Sequence, residues 1–560
     1  MLFTAFVVSA HHTGIVGHIT PSKKPLASIS LNPNVKPQSE QQAHYLRMLA
    51  ASERDFFWSA QQLPSDAALI LIDLIEDLGL TPVGKLAPLA TSDAAQFDYQ
   101  LTQVLFDLIN LGQPISQRGR SDNNDESETD VEGIVTDATD LDPEPDFSDV
   151  EFAFIDAARQ YQLADFVNNA LPKYQQIALL REAIDRYQNY SGEWTRVNKA
   201  FRPQYGQQHP QIKMIRDTLV LYGDLSEQEN NADNTSPDVY DAVAVAAIKR
   251  FQQRNGLIVD GVAGPQTMTN LALSPQDILR RLQVNLQRWF LLPRQEPEHY
   301  VYVNIPQYQL RVIEEGESQL EMKVVVGKKG WPTPTMVSAI KEVTVNPTWT
   351  PTQSIVKRTL MPQYRRNPAS LHHRGFHLVK KGNAKQTLRI GPGLPLQQML
   401  GEYRLVQAAG RKNALGQFRF NIPNSQAIFL HDTPSKRAFN RHVRALSHGC
   451  IRLENARKFA NYILTHDALY HANNNTAQVT SQSDMQFSTS DEQGAWVSTA
   501  EYNAVSADVE RKLTRRVNRR STQWVALKET IPTFIAYQTI WVRDNGSLQI
   551  FPDIYGLDGD

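Results

Sequence analysis

The candidate chemistry of this chain centres on one thiol. Cys450 is the only cysteine in 560 residues; His448 and Gly449 precede it directly, and His431 lies nineteen residues upstream. A free thiol with a pKa of about 8.5 is only a few per cent thiolate at neutral pH, so a nucleophilic cysteine needs a base or a positive charge beside it. Either imidazole could supply that base. The segment therefore predicts nucleophilic catalysis by Cys450.

Gly449 suggests how an oxyanion could be held. Glycine accepts backbone angles that other residues avoid, so the chain can turn sharply just before the thiol. The N–H groups of Gly449 and Cys450 could then face the oxygen that becomes negative when a thiolate attacks a carbonyl. His431 follows the apolar strand predicted at 427–430. A sheet commonly offers catalytic groups at a strand end, so this ring is a candidate for the general base.

Two alternatives remain open for these residues. A zinc site is one, because His431, His442, His448 and Cys450 are all of ligand type. The usual close spacings, such as Cys-x-x-Cys or His-Glu-x-x-His, are missing. The other alternative is a buried thiol among core histidines. A run of polar and special residues makes a poor core, which favours the nucleophile.

The residues around the thiol resemble a known signature. The segment 447–453, with His431-Asp432 upstream, is similar to the catalytic motif of the L,D-transpeptidase (YkuD) domain. Other stretches resemble the large, YcbB-like branch of that family, and the likeness runs over most of 42–560. These stretches are 346–351 (Asn-Pro-Thr-Trp-Thr-Pro), 413–416 (Asn-Ala-Leu-Gly), 420–424 (Phe-Asn-Ile-Pro-Asn) and 431–434 (His-Asp-Thr-Pro).

The resemblance implies roles residue by residue. Cys450 matches the nucleophile and His431 the base that activates it. The implied oxyanion and support positions are Ser447, His448, Gly449 and Asp432, and the implied substrate-binding positions are Arg452, Trp349 and Tyr403. At the position of Asp432 many members of the family have Gly or Ser, so its orienting role is an open point.

The implied reaction is cross-linking of peptidoglycan. The cysteine attacks the L-centred carbonyl before a terminal D-alanine of a tetrapeptide stem, D-alanine leaves, and the amine of a second stem's diamino acid resolves the thioester. Acylation by carbapenems is implied as well, and no metal or organic cofactor is implied. Hydrolysis of the same thioester, by an L,D-carboxypeptidase, and a wall-binding scaffold without catalysis are the alternatives.

A second signal lies between Pro210 and Leu273. Val243, Ala247 and Phe251 fall on one helix face, and a glycine turn precedes Pro265, a residue favoured at the first position of a helix. The segment resembles the three-helix peptidoglycan-binding domain. The implied partners are the stem peptides and glycan of peptidoglycan, together with other wall-synthesis enzymes.

The pattern along the chain predicts a multidomain α+β protein. The C-terminal part has period-two strand signals, and 531–537 with 548–551 predict a hairpin that completes its sheet. Thirteen acidic and no basic residues between 121 and 151 predict a disordered loop. The predicted divisions are an export segment and linker at 1–41, a helical scaffold domain at 42–205, a peptidoglycan-binding domain at 206–275, and a catalytic domain at 276–560 with a lid segment at 352–412 and a flexible loop at 471–494.

Composition restricts the partners and the location. A net charge of −2 has no basic excess for nucleic acid. No internal stretch has the roughly 20 apolar residues of a membrane span. The first ten residues are apolar, but no Lys or Arg precedes Lys23, so they carry only half the features of a signal peptide. The predicted location is the periplasm or cell envelope after export, with association to the inner membrane left open.

Overall fold

The computed structural model describes residues 39–559 apart from 61–62, 81–93, 112–146, 193, 195, 232–235 and 480–498. They form two compact units. One holds Pro297–Tyr537, and the other holds the described residues up to Glu296 together with Gln538–Asp560. The predicted α+β class is confirmed, because helices fill the N-terminal part and most strands lie in the C-terminal part.

The N-terminal region is helical. Capping by Ser148 and Glu151 begins its fourth helix, so 149–151 of the predicted acidic loop are helical, while the loop's remainder up to 146 lies outside the described residues. The helices are α1 (Ser39–Ser52), α2 (Asp66–Asp77), α3 (Ala94–Leu111), α4 (Asp149–Arg159), α5 (Leu163–Ala170) and α6 (Gln175–Gln188), with a short pair β1 (Ser59–Ala60) and β2 (Leu63–Pro64).

A second helical group follows, and one of its helices begins at Pro265 as predicted. Asp241 caps one helix through the Ala244 N–H, and Pro265 begins another. The Gln252 side chain holds the turn between them by accepting from the N–H groups of Asp260 and Gly261. The helices are α7 (Pro210–Leu221), α8 (Glu227–Asn230), α9 (Ala242–Arg254), α10 (Pro265–Leu271) and α11 (Pro275–Trp289).

The region predicted to be catalytic is built on a nine-stranded sheet. Its order is β12-β5-β13-β11-β10-β6-β14-β3-β4, with a further β4–β5 pairing. Side chains alternate across it, so apolar residues such as Phe420, Val343 and Leu430 are buried on one face. The strands are β3 (His299–Asn304), β4 (Gln309–Glu314), β5 (Glu317–Gly327), β6 (Met336–Val345), β10 (Phe418–Asn421), β11 (Leu430–His431), β12 (Ala445–Ser447), β13 (Ile451–Leu453) and β14 (Gln523–Ala536), and β7 to β9 belong to the lid segment described next.

The lid segment has its own small sheet and core. Its three strands pair in the order β8-β7-β9, and its helices pack apolar side chains against them. Its elements are α12 (Gln353–Ile355), a π-helix (Val356–Leu360), α13 (Met361–Arg366), α14 (Ala369–His373), β7 (Phe376–Lys380), β8 (Asn383–Arg389), α15 (Leu396–Met399) and β9 (Tyr403–Gln407).

Two long helices complete the catalytic region. In α16 (Ala456–Val479), Phe459 packs against Phe420 of the sheet with ring centroids 4.6 Å apart, and α17 (Thr499–Asn518) packs against α16. The prediction of a loop at 471–494 was wrong for 471–479, which continue α16. Once the first turns are formed by packing, each further residue extends a helix at little cost. Residues 480–494 lie outside the described residues.

The C-terminal hairpin does not complete the catalytic sheet, so that prediction was wrong. Residues 531–536 belong to β14 inside the sheet, whereas β15 (Ile540–Val542) and β16 (Leu548–Ile550) pair only with each other. The helical unit supplies the hairpin's contacts. Asn285 accepts from the Thr539 N–H at 2.7 Å, and the Gln176 side chain donates to the Val542 carbonyl at 2.7 Å. Hydrogen bonds to helix side chains thus replace pairing with the sheet.

Candidate active site

The strand register places three side chains in one row across the sheet: the predicted base His431 and the cations Arg419 and Arg452. His431 on β11 is paired with Arg419 on β10 and with Arg452 on β13. Paired residues point to the same side of a sheet. Their neighbours Leu430 and Ile451 face the buried core, so His431, Arg419 and Arg452 lie together on the opposite face.

Cys450 lies on this face, immediately before β13. The Ile451 N–H donates to the Phe429 carbonyl at 3.0 Å. Extending the register by one residue places Cys450 beside Phe429, two residues from His431 along the neighbouring strand. The thiol Sγ is 3.7 Å from the Ala427 carbonyl oxygen. The structure therefore brings the predicted nucleophile and the predicted base to adjacent strands on one face.

The His431 ring is buried and carries a defined tautomer. Its side chain is 4% exposed, and Nδ1 lies 2.5 Å from the Asp432 carbonyl oxygen. A carbonyl can only accept, so Nδ1 carries the proton and Nε2 keeps its lone pair. Burial, with the nearby Arg452 charge, lowers the pKa of His431 to about 4. The imidazole is neutral at pH 7 and able to take a proton at Nε2.

The thiol is also neutral at rest. Burial raises the pKa of Cys450, against the opposing effects of the Phe429 backbone and the Arg452 guanidinium. A raised thiol pKa beside an imidazole of lowered pKa gives a neutral pair rather than a thiolate–imidazolium pair. Proton transfer must then accompany attack on a carbonyl.

Asp432 supports the site through its backbone. Its carboxylate accepts from the Gln417 N–H at 2.9 Å and from Lys436 Nζ at 2.8 Å. Gly416 lies so close to this carboxylate that any side chain there would collide with it. The carboxylate is thus committed to the neighbouring loop, and the Asp432 carbonyl, rather than its side chain, orients the imidazole.

Ser447 shapes the loop that leads to the thiol. Its hydroxyl donates to the Cys450 carbonyl at 2.6 Å and accepts from the Gly449 N–H at 3.0 Å. Gly449 has φ +113°, a conformation that other residues rarely adopt. The donor role predicted for the Gly449 N–H does not fit this geometry, because that group is already bonded to Ser447. The Cys450 N–H remains the candidate oxyanion donor.

Thr333 is a supporting residue that the sequence analysis missed. Its buried hydroxyl donates to the Gly449 carbonyl at 2.6 Å and accepts from the Gly327 N–H at 2.8 Å. This one hydroxyl therefore ties the end of β5 to the loop before the thiol. Since 116 residues separate Thr333 from Gly449, no local motif could have indicated the contact.

His448 contacts the lid segment. Its Nε2 is 3.1 Å from Thr359 Oγ1 in the π-helix, and its ring lies edge-on to Trp331 with centroids 5.0 Å apart. Arg358 of the same π-helix lies over the Trp331 ring. Burial lowers the pKa of His448, helped by the charge of Lys328. A π-helix is often found at functional positions, and here it contacts the catalytic loop.

Arg452 is a cation whose charge acts on three titratable groups of the site. Its charge adds to the effect of burial in lowering the pKa values of His431 and His448, and it partly opposes the rise that burial causes in the pKa of Cys450. Burial lowers the pKa of Arg452 itself. A half-buried guanidinium beside the thiol suits the binding of a substrate carboxylate or of the developing negative charge.

The remaining predicted residues lie away from this row. Tyr403 is 7% exposed within the core of the lid segment, because its side chain points inward from β9. The substrate-binding role predicted for it does not fit that position. Trp349 pairs with Gln407 and packs against Phe376 at the base of the lid segment. His442 is exposed, and in the described part of the chain no three His, Cys, Asp or Glu side chains are grouped as metal ligands.

Family models match two parts of the chain. Residues 298–479 match the L,D-transpeptidase catalytic domain, YkuD, and residues 208–271 match the model described as "Putative peptidoglycan binding domain". The resemblance of these two segments to the L,D-transpeptidase catalytic domain and to the peptidoglycan-binding domain is therefore confirmed.

The chain is also similar to proteins named L,D-transpeptidases. A curated protein of Haemophilus influenzae, named "Putative L,D-transpeptidase", is 30% identical over 286 residues, which cover 50% of this chain and 49% of the relative. The chain thus spans about half the length of that relative. An L,D-transpeptidase structure from Mycobacterium smegmatis is 15% identical, covers 29% of this chain and 52% of its own, and has a TM-score of 0.16. One from Xylanimonas cellulosilytica is 17% identical, covers 46% and 88%, and has a TM-score of 0.14.

Proposed function

We infer that this protein is a peptidoglycan L,D-transpeptidase with Cys450 as its nucleophile. The observation that carries the proposal is the placement of the thiol beside a buried, neutral His431 whose Nδ1 is occupied by the Asp432 carbonyl. Only Nε2 is then left to act as a base. The family match over 298–479 supports the same reaction class.

The first step is acylation by a donor stem. As Sγ bonds the L-centred carbonyl carbon, its proton passes to His431 Nε2, and the Cys450 N–H donates to the oxygen that becomes negative. The C–N bond to the terminal D-alanine then breaks, and the leaving nitrogen takes the proton from His431. Arg452 faces the stem as a carboxylate-binding cation.

The second step is transfer to an amine. The side-chain amine of a second stem attacks the thioester carbon, the C–S bond breaks, and the amine proton returns through His431 to the thiol. Water competes for the same thioester, which would make the protein an L,D-carboxypeptidase. The contact of the π-helix with His448 supports a lid that excludes water at this step, and so favours transfer over hydrolysis.

The similarity of residues 208–271 to a peptidoglycan-binding domain supports a location of the protein at the cell wall. A peptidoglycan-binding domain on the chain that carries the catalytic domain holds the enzyme on its polymeric substrate. We place the protein in the cell envelope, on the periplasmic side, with other wall-synthesis enzymes as candidate partners. Among the described helices, none has the length and apolar character needed to span a membrane.

The domain boundaries proposed here are those of the sequence analysis: 42–205, 206–275 and 276–560. The compact units differ from them in three places. The proposed domains 42–205 and 206–275 fall in one unit. The catalytic unit begins at Pro297 rather than 276, and Gln538–Asp560 is grouped with the helical unit. Limited proteolysis with mass identification of the stable fragments tests these boundaries, and stable cleavage near 296 rather than 275 would replace the proposed one.

The experiment that tests the function is intact-mass spectrometry after mixing the purified protein with a carbapenem. One adduct is expected on the natural protein and none on Cys450→Ala, while Cys450→Ser and an exposed control, His442→Ala, check folding and specificity. Incubation with tetrapeptide stems then separates cross-linked dimer from free tripeptide. No adduct and no product would favour the wall-binding scaffold without catalysis.

A further inference from the structure

Arg419 puts a second guanidinium beside His431, on the side away from Arg452. Its Cα is paired with that of His431 across β10 and β11, and neighbouring strands lie about 4.8 Å apart. The guanidinium lies over the Phe429 ring, with Cζ 5.0 Å from the ring centroid. Phe429 is the register neighbour of Cys450. Arg419 therefore reaches along the catalytic face towards the row that contains the nucleophile.

The protein leaves this guanidinium incompletely bonded. Arg419 Nε is buried and has no hydrogen-bond partner within the part of the chain that the structure describes. Its Nη2 reaches Thr344 Oγ1 only at 3.4 Å. The nearby carboxylate of Glu342 accepts from the Asn421 amide and from the Thr344 hydroxyl instead. A guanidinium binds best to a carboxylate in a two-pronged arrangement, so Arg419 is suited to receive a carboxylate from a substrate.

The neighbouring base limits which carboxylate this is. In the transfer step the attacking nitrogen must come within hydrogen-bond reach of His431. Because Arg419 and His431 are paired across β10 and β11, a group held by Arg419 would lie near that nitrogen. Diamino acids differ at this point. In the diaminopimelate type, the carbon that bears the side-chain amine also bears a carboxylate, whereas in the lysine type it bears only hydrogen.

We propose that Arg419 is the residue that binds the carboxylate on the amine-bearing carbon of the acceptor. The proposal rests on the proposed function and deepens it. Arg419 breaks no bond. It orients the amine for attack on the thioester carbon, while the C–S bond breaks and the proton passes through His431 to the thiol.

The test uses matched acceptors with one donor. A tetrapeptide donor acylates the enzyme, and the acceptors are a diaminopimelate stem, the same stem amidated at the side-chain carboxylate, and a lysine stem. The variants are Arg419→Gln and Arg419→Lys, with Arg437→Gln as an exposed arginine control. The readout is the ratio of kcat/KM for the carboxylate acceptor to that for its amide. Because both acceptors meet the same acyl-enzyme, changes in the acylation rate cancel in this ratio.

We expect the natural protein and Arg437→Gln to prefer the carboxylate acceptor by about 10- to 100-fold, the range of one charged hydrogen bond pair. Arg419→Gln should lose that preference, and Arg419→Lys should keep part of it. The proposal is overturned if the natural protein uses both acceptors equally, or if Arg419→Gln keeps the preference. In either case, acylation of Cys450 would still support the proposed function. Absence of acylation in the natural protein overturns both.

Discussion

Two histidines of the catalytic sheet have the same lowered pKa and different surroundings. Burial lowers the pKa of both His431 and His299 to about 4. His431 has its Nδ1 bonded to a carbonyl and lies on one face with a thiol and two guanidiniums. His299 stacks against His466 of α16 with ring centroids 3.8 Å apart, and α16 packs on the other face of the sheet through Phe459.

The surroundings of His299 offer no reaction. His466 Nε2 is 3.3 Å from Glu314 Oε1, and the Tyr462 hydroxyl donates to Glu314 Oε2 at 3.0 Å. His466, Glu314 and Tyr462 are bonded to one another, whereas the buried Nε2 of His299 has no hydrogen-bond partner in the part of the chain that the structure describes. The single cysteine of the sequence is Cys450, so no thiol lies beside this ring. The comparison teaches that a lowered imidazole pKa indicates burial alone, whereas the neighbouring thiol and cations are what support the catalytic role proposed for His431.

The largest effect should come from exchanging the two histidines for asparagine in turn. His431→Asn removes the base and is expected to lower the acylation rate by about 10²- to 10⁴-fold. His299→Asn should leave it within about 2-fold. The measurement is the rate of D-alanine release from a tetrapeptide, with circular dichroism to check folding. Equal losses in the two variants would contradict the distinction drawn between them.

The pH dependence of stability should not separate the two sites. In the unfolded chain both imidazoles bind protons near pH 6.5, but in the folded protein only near 4, so the unfolded state gains protons first as the pH falls. As the pH falls from 6.5 to 4, each histidine therefore lowers the free energy of unfolding by at most about 1.4 kcal/mol per pH unit. Above pH 6.5 neither histidine changes the free energy of unfolding with pH. Four other titratable groups lie around His299, and their charges also act on this cluster: Glu314, His466, Tyr462 and Tyr502.

Urea unfolding at several pH values measures this slope. His431→Gln and His299→Gln should each flatten it, although only the first should affect the acylation rate. Activity should persist down to about pH 4.5, because His431 stays neutral there. A stability slope unchanged in His299→Gln would mean that this ring is protonated in the folded protein. A fall in the acylation rate below about pH 6.5 would mean that His431 is protonated in the folded protein at that pH.

A smaller effect confined to the catalytic face is expected from Thr333→Val. The variant keeps the shape but leaves the Gly327 N–H and the Gly449 carbonyl without their shared hydroxyl. Loss of such buried bonds costs about 1 to 3 kcal/mol of unfolding free energy, and a less rigid loop should slow acylation by about 10-fold. Thr333→Ser, which keeps the hydroxyl, is the matched control. A full rate in Thr333→Val would show that Ser447 alone holds the loop.

The sequence predicted local features of the site better than distant ones. Ser447, Gly449 and Cys450 are neighbours in the chain, so their types already indicated a turn that presents a thiol. Arg419 reaches the site through strand register and Thr333 from the loop between β5 and β6, and a single sequence gives neither placement. The Gly449 N–H was misassigned because its acceptor is a side-chain hydroxyl two residues away, a choice that depends on the rotamer of Ser447.

The smallest effect tests the position of Tyr403. Its ring lies in the core of the lid segment, so Tyr403→Phe keeps the packing and should change kcat/KM for the tetrapeptide by less than about 2-fold. Tyr403→Ala leaves a cavity and is expected to destabilise the protein by about 3 to 5 kcal/mol, as large-to-small changes of buried aromatic residues do. If Tyr403→Phe instead raises KM about 10-fold with unchanged stability, the hydroxyl binds substrate, and the lid segment opens further than this structure shows.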